Sequence, residues 1–303
     1  MRVLKRVLKV LGLLLVLVVS CGALFAYTNV SRFDASMDKV YDVPMPAVTA
    51  STDPAVVARG KHVVDALGAC SSTNCHGADL GGGTPIAMGP VGTLAAPNIT
   101  PRGLAVAYSD GELARLVRYG VKKDGRSLRF MPAQDFSWLP DADLVAIVSY
   151  LRTVAPVDRP NGATTLGTLG KVLDRQGKFV LDVARHIQET KVEVAPPPAP
   201  TADFGRFVSR LCTGCHGETL SGGPLPGAPS SFAVPLNLTP DATGLTGWTY
   251  ADFETLMKKG IRKNGKALDP LMPIESWKVM DDTELHALWA YLQTLPPRPF
   301  GGR

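Results

Sequence analysis

The stretch CTGCH occupies residues 212–216 and holds two cysteines separated by two residues, with a histidine directly after the second. A longer version, CSSTNCH, occupies residues 70–76. These two stretches use four of the five cysteines in the chain, and the fifth, Cys21, lies in an apolar N-terminal segment. Because a cysteine pair followed by histidine occurs twice, the chain is predicted to contain two sites of the same kind.

The spacing C-x-x-C-H is the attachment sequence of a c-type haem. Its two thiols form thioether bonds to one edge of the porphyrin, and the adjacent histidine ligates the iron. We therefore predict that Cys212 and Cys215 attach a haem covalently and that His216 is an axial ligand of its iron.

The first stretch has two additional residues between its cysteines, although its second cysteine still precedes the histidine. We predict that Cys70 and Cys75 attach a second c-type haem and that His76 ligates its iron, with the longer loop bulging outward. The longer spacing does not decide whether Cys70 also forms a thioether bond to this haem. Disulfide bonds would require no histidine after each pair, and a closed zinc site needs four ligands, more than either stretch offers.

The second half of the chain repeats the order of motifs in the first half, at an offset of 139–141 residues. A repeat of this length indicates a duplicated domain. The matched stretches are APNITP (96–101) with VPLNLTP (234–240), SDGE (109–112) with TYAD (249–252), YGVKKDG (119–125) with KGIRKNG (259–265), FMP (130–132) with LMP (271–273), and YL (150–151) with YL (291–292).

Two methionines occupy equivalent places in the repeat, and each precedes a proline: Met131 and Met272. A methionine usually fills a core, but its recurrence here predicts the second axial ligand of each iron. Met88 is the alternative ligand for the first haem and Met280 for the second. The remaining histidines, His62, His186 and His286, are assigned no role.

The local patterns predict an all-α fold. Ser109 with Glu112, and Thr249 with Asp252, have the spacing of helix N-terminal capping boxes, and both helices should end at a following glycine. Apolar residues recur at helical spacing in the last helix of each half. Between the halves, residues 172–187 are predicted to form one amphipathic helix, and residues 195–200 form a proline-rich spacer.

Residues 10–31 carry no charge and follow four basic residues, so they are long and apolar enough to span a bilayer. The basic flank should stay cytoplasmic, which predicts a single-pass anchor in a bacterial inner membrane with the later residues in the periplasm. A cleaved signal peptide and lipidation at Cys21 are the alternatives. Without the four basic residues the chain is nearly neutral, which disfavours nucleic acid as a partner.

Both halves resemble class I cytochrome c domains, in which a helix leads into C-x-x-C-H and a Met-Pro precedes a C-terminal helix. The NITP and NLTP segments and the glycine turns after them are similar to multihaem cytochrome c subunits of membrane-bound bacterial alcohol, aldehyde and gluconate dehydrogenases. The predicted organisation is an anchor or signal (1–31), a tether (32–53), a first cytochrome c domain (54–155), a linker (156–200), a second cytochrome c domain (201–296) and a tail (297–303).

The resemblance implies a carrier of single electrons rather than an enzyme. Its redox partners would be a dehydrogenase and a quinol-oxidising complex or terminal oxidase. Those subunits typically carry three haems, whereas this chain has two attachment stretches. A dihaem cytochrome c peroxidase is the alternative function, but it needs one iron with an open position, and the two equivalent Met-Pro pairs argue against that. A haem-based sensor is a third class, without a positive signal.

Overall fold

The computed structural model describes residues 2–187, 192–225 and 232–303. About 47% of the described residues are helical. The α-helices of the described residues are α1 (Arg2–Met37), α2 (Pro54–His62), α3 (Asp110–Tyr119), α4 (Asp141–Thr153), α5 (Thr168–Arg175), α6 (Val183–His186), α7 (Ala202–His216), α8 (Tyr250–Lys259), α9 (Ile274–Trp277) and α10 (Asp282–Thr294). We call residues 54–161 the first half and residues 202–303 the second half.

In each half the helix that leads to the cysteines crosses the last helix of that half at very short distance. α2 packs on α4, and α7 packs on α10. A Cβ at Gly60 would overlap the carbonyl of Ala146, and a Cβ at Gly205 would overlap the carbonyl of Ala287. Glycine is therefore required at both crossings, because any side chain would push the paired helices apart.

The helix ends follow the patterns in the sequence. Ser109 and Thr249 each cap a helix through a complete capping box, and those helices end at Gly120 (φ 64°) and Gly260 (φ 66°) in the left-handed conformation. Asp53 caps α2 by accepting a hydrogen bond from the amide of Ala55. These local signals predict element ends well because capping depends on neighbouring residues alone.

The structure also contains a small antiparallel sheet, which the all-α expectation omitted. Its strands are β1 (Ile86–Ala87), β2 (Gly92–Leu94) and β3 (Thr165–Leu166), in the order β1-β2-β3. The strands are only two or three residues long, too short for the alternating pattern that predicts a strand. β3 comes from the segment between the halves, so this segment is bound to the first half.

The single helix predicted for residues 172–187 is two helices, α5 and α6. Gly177 adopts a left-handed conformation (φ 66°) directly after α5. The buried carboxylate of Asp174 then accepts hydrogen bonds from the amides of Leu181 (2.8 Å) and Asp182 (3.0 Å). A side chain that satisfies backbone amides in this way stabilises the turn in place of a helix.

The N-terminal helix α1 is the one helix of the described residues long and apolar enough to cross a membrane. It continues past the apolar segment to Met37 and packs on α5. Phe33 is buried there, and Asn29 accepts a hydrogen bond from Gln176 (2.9 Å). The predicted tether over residues 32–53 is therefore helical in its first part. Its later part lies along the first half, where the amide of Ala50 donates to Asp110 (2.7 Å).

The two halves share one hydrophobic core. α7 packs against the 3-10 turn Ala133–Asp135 of the first half, and the π-helical turn Val63–Leu67 packs against α9 of the second half. In each half, the turn after the Met-Pro pair therefore packs against the helical segment that leads to the cysteines of the other half. At the centre the rings of Trp138 and Phe207 meet edge to face, with centroids 4.9 Å apart.

Candidate haem sites

The second attachment stretch forms the last turn of α7, so its backbone remains helical through His216. The imidazole of His216 is buried, and its Nδ1 lies 2.7 Å from the carbonyl oxygen of Leu236. A carbonyl only accepts, so Nδ1 carries the proton and Nε2 keeps its lone pair for a metal. Burial lowers the pKa of His216 below its usual value, which keeps the ring neutral at pH 7.

The first attachment stretch reaches the same arrangement by a different backbone path. After the π-helical turn Val63–Leu67, Ala69 adopts a left-handed conformation (φ 49°), and the amide of His76 bonds to the carbonyl of Cys70 (2.8 Å). This bulge takes up the two additional residues. Nδ1 of His76 then lies 2.8 Å from the carbonyl of Pro97, and burial lowers the pKa of His76.

None of the four cysteines of the two stretches forms a disulfide bond. Burial raises the pKa of Cys70 and of Cys212 to about 12, so both thiols are protonated at neutral pH. Burial also raises the pKa of Cys75 and of Cys215. Each half therefore places a cysteine pair and one neutral imidazole together, which are the residues that the attachment sequence of a c-type haem supplies.

A cleft of about 400 Å³ opens beside the carbonyl that holds His216. It is lined mainly by apolar side chains, among them Leu238, Leu245 and Trp248. Arg262 also lines it, and the Nε of this guanidinium is buried without a hydrogen-bond partner among the described residues. The apolar surface and the unpaired guanidinium N–H are compatible with a porphyrin, whose flat apolar ring carries carboxylates on one edge. The lining includes Leu236, whose carbonyl bonds to His216, but none of Cys212, Cys215, His216 and Met272.

In the first half, Cys70 and Met131 line the same small apolar pocket. Met88, the alternative ligand, is buried in a separate cluster with Phe33 and Leu181. The structure thus brings Met131, and not Met88, to the first attachment stretch. In the second half, Met272 is half-buried against the main core that includes Cys212, while the alternative Met280 is buried within that core.

The two attachment stretches adjoin each other across the interface between the halves. A Cβ at Gly214 would overlap the carboxylate of Asp135 from the first half. The pKa of Cys215 is raised first by burial, then by the charge of Asp135, and also by the nearby thiol of Cys75. Asp135 itself is half-buried, and desolvation of its carboxyl, with the charge of Glu218, raises its pKa to about 7.

Several residues of the sites carry no signal of their own in the sequence. Asp135 follows Met131 by four positions, and its equivalent in the second half is a serine, so the repeat does not mark it. Asn98 and Asn237 were visible only as members of matched stretches, yet both side chains are buried. His62, which was assigned no role, bonds to Glu284 of the other half (2.7 Å).

Two family models match the chain. Residues 55–151 match the model described as cytochrome c oxidase, cbb3-type, subunit III, and residues 206–296 match the model described as cytochrome c. Both matches include an attachment stretch and the following Met-Pro.

Several characterised relatives are cytochrome subunits. The cytochrome c subunit of a quinone alcohol dehydrogenase from Gluconacetobacter polyoxogenes is 28% identical over 282 residues, covering 84% of this chain and 58% of the relative. The gluconate 2-dehydrogenase cytochrome c subunit of Pantoea cypripedii is 35% identical over 94 residues, or 29% of this chain and 21% of the relative. A diheme cytochrome c-type protein of Cereibacter sphaeroides is 34% identical over 97 residues, or 28% of this chain and 32% of the relative.

The chain thus spans a little more than half the length of the alcohol dehydrogenase subunit that it matches. The names of these relatives describe cytochrome c subunits of dehydrogenases and a diheme cytochrome, and they give no support to the peroxidase alternative. Residues 55–151 and 206–296 are cytochrome c domains, and the chain is similar to the cytochrome c subunits of bacterial dehydrogenases.

Proposed function

We propose that this protein is a membrane-anchored dihaem cytochrome c that carries single electrons for a dehydrogenase. One observation carries the proposal: in each half a neutral histidine follows a cysteine pair and points its Nδ1–H at a backbone carbonyl. This leaves Nε2 of both rings available to an iron, as in other metal-binding histidines. Duplication of the arrangement supports two sites rather than one.

In the first site, Cys70 and Cys75 would attach the haem, and His76 and Met131 would ligate its iron. The pocket shared by Cys70 and Met131 supports this set.

In the second site the corresponding set is Cys212 and Cys215 as attachment residues with His216 and Met272 as axial ligands. A haem iron with histidine and methionine ligands supplies reversible one-electron chemistry and has no open position for a substrate. The protein's own contribution is to exclude water, to hold the rings, and to present the sites to partners.

The two domains, proposed as residues 54–155 and 201–296, would act as one unit. Asp135 of the first half contacts Gly214 in the second attachment stretch, and Trp138 packs on Phe207 across the interface. This packing supports exchange of electrons between the halves within one molecule. Two independent domains on a flexible linker would need no such shared core.

The partner would be a membrane-bound dehydrogenase, because the relatives are named as subunits of alcohol and gluconate dehydrogenases. A quinol-oxidising complex or terminal oxidase would take the electrons on the other side. α1 would anchor the protein in the inner membrane with both domains in the periplasm, as its apolar length supports. Cys21 is exposed on α1, so lipidation there remains compatible with the same location.

Purification from native membranes tests the proposal. The intact mass of the mature protein should exceed that of the polypeptide by two haems, and a dehydrogenase should copurify. The double variant C212A/C215A, made in the same host, is the matched control and should lose one haem. A wild-type mass without any haem would contradict the proposed function.

A further inference from the structure

Asn98 ties together two segments around the first histidine. Its Oδ1 accepts hydrogen bonds from both the amide (2.9 Å) and the hydroxyl (2.7 Å) of Thr100. Its Nδ2 donates to the carbonyl of Val157 (2.7 Å), and the amide of Val157 donates back to the Thr100 hydroxyl (3.1 Å). Asn98 and Thr100 are both buried, so water cannot replace these bonds.

The second half contains the same network. Oδ1 of Asn237 accepts from the amide (2.9 Å) and hydroxyl (2.8 Å) of Thr239, and Nδ2 donates to the carbonyl of Arg298 (2.7 Å). The amide of Arg298 donates to the Thr239 hydroxyl (3.2 Å). Retention of the network in both copies of the duplicated domain indicates that it belongs to the site rather than to incidental loop packing.

The segments that receive these bonds follow the last helix of each half. We call residues 157–161 the first strap and residues 298–303 the second strap. Each strap also sends an arginine to its attachment stretch or to the loop after it. Arg159 pairs with Asp79 (2.7 Å), and Arg303 donates to the carbonyl of Cys215 (2.7 Å). Both straps lie outside the predicted domains, the first in the predicted linker (156–200) and the second in the predicted tail (297–303).

The network acts on the histidines through the carbonyls that hold them. The carbonyl bonded to His76 belongs to Pro97, directly before Asn98. The carbonyl bonded to His216 belongs to Leu236, directly before Asn237. We propose that Asn98 and Asn237 are positioning residues, which aim these carbonyls at the histidine Nδ1–H by tying the loop to the strap.

This inference rests on the proposed function, since it concerns histidines that ligate iron. A hydrogen bond from Nδ1–H to a carbonyl makes the imidazole a stronger donor to the metal and favours the oxidised state. Loss of the asparagine lets the carbonyl move away. The ring then donates less, and the reduction potential of that half rises.

The experiment is a redox titration of the full chain in detergent, with haem content first confirmed by intact mass. N98A should raise the potential of one couple by an amount equal to about a tenfold change in the reduction equilibrium, about 59 mV for one electron. N237A should raise the other couple. Each half is thus the control for the other half.

Variants N98S and N237S keep a short oxygen acceptor for the threonine amide but lose the donor to the strap. They should raise the reduction potential of the same couple by a smaller amount than the alanine variants do. They also provide a test if an alanine variant fails to fold. A second measurement removes a different contact of the second strap: R303A abolishes the hydrogen bonds from Arg303 to the carbonyls of Cys215 and Gly223, leaves the bonds between Asn237 and Arg298 in place, and should shift the second couple alone.

Unchanged potentials in both asparagine variants, with two haems present, would overturn the inference and leave the proposed function standing. Equal shifts of both couples in every variant would also overturn it, because a general loosening would act on both halves. A wild-type protein without haem would overturn the proposed function and the inference together.

Discussion

Nε2 of His62 lies 2.7 Å from Oε1 of Glu284, and this pair joins α2 of the first half to α10 of the second. The Glu284 side chain is 3% exposed. The hydrogen bond to Glu284 is the largest cause that raises the pKa of His62; Glu284 and Asp281 add favourable charge, while partial burial and Arg59 act against it.

The pair predicts a pH dependence of stability. The pKa of His62 is higher in the folded protein than in the unfolded chain, so its stabilisation is complete below the usual histidine pKa of about 6.5 and is lost as pH rises through the raised value. H62A should lower the free energy of unfolding by about 1–3 kcal/mol at pH 6, because it leaves the Glu284 carboxylate buried without its partner. Denaturant unfolding between pH 5.5 and 8.5 measures this.

The control is H286A, since His286 is exposed and its hydrogen bonds among the described residues lie within its own half, to Tyr250 and to the carbonyl of Asp282. It should leave the pH profile unchanged. An H62A profile that keeps the wild-type slope would show that the pair does not contribute.

The attachment residues predict distinct masses. C70A should retain two haems, because Cys75 and His76 keep their normal relation at the first site. C75A should weaken or abolish attachment there, since the thiol next to the histidine is lost. Intact mass measured under denaturing conditions distinguishes covalently attached haem from haem that is bound without a covalent bond. Loss of covalent haem in C70A alone would show that Cys70 is the main attachment point.

The axial ligands predict a change in potential. M131H and M272H should each lower the potential of one couple, because imidazole stabilises ferric iron better than a thioether does. M88A is the control, as Met88 lies in the separate cluster with Phe33. If M131H leaves both the potentials and the sulfur-to-iron absorption band unchanged, the assignment of Met131 is wrong. For the second site, the same result with M272H would favour Met280.

The shared core predicts electron exchange within one molecule. After rapid reduction of one half, the other half should equilibrate at a rate independent of protein concentration. W138L removes the ring that packs on Phe207 and should slow this step. W289L is the matched control, because Trp289 packs on Phe253 within the second half. A rate that falls in proportion to dilution would mean that the halves communicate only between molecules.

The docking of α1 predicts different effects for two phenylalanines on one helix. Phe33 is 1% exposed, whereas Phe25 is 51% exposed. F33A should lower stability by about 3–5 kcal/mol and speed amide exchange in residues 28–53, since it leaves a cavity against α5. F25A should change neither quantity. Equal exchange in both variants would show that residues 28–53 form a free tether.

Signals that act over a few residues were readable from the sequence. The cysteine–histidine stretches, the capping boxes at Ser109 and Thr249, and the ends at Gly120 and Gly260 all depend on local chemistry. The repeat added Met131 and Met272, whose assignment as ligands stays a prediction.

Contacts between distant segments were not readable. His62 and Glu284 are far apart in the chain, and either residue alone is typical of a helix surface. The docking of Phe33 on α5 was not predicted because residues 10–31 are apolar on all sides of the helix. Such a segment gives no periodic signal for a single buried face that continues into residues 32–37. The straps were missed because irregular segments carry no periodic signal, although their partners Asn98 and Asn237 stood within the repeat.

The continuity of α1 from its apolar segment to its contact with α5 has a consequence for how the protein would search for partners. If α1 spans the bilayer as proposed, a helix without a flexible joint would fix the height of both domains above the lipid surface and the side that they turn toward it. Encounters would then depend on lateral diffusion and on rotation about the membrane normal. A partner would have to present its donor or acceptor at that one height, so vertical geometry would select among membrane complexes before any surface complementarity is tested.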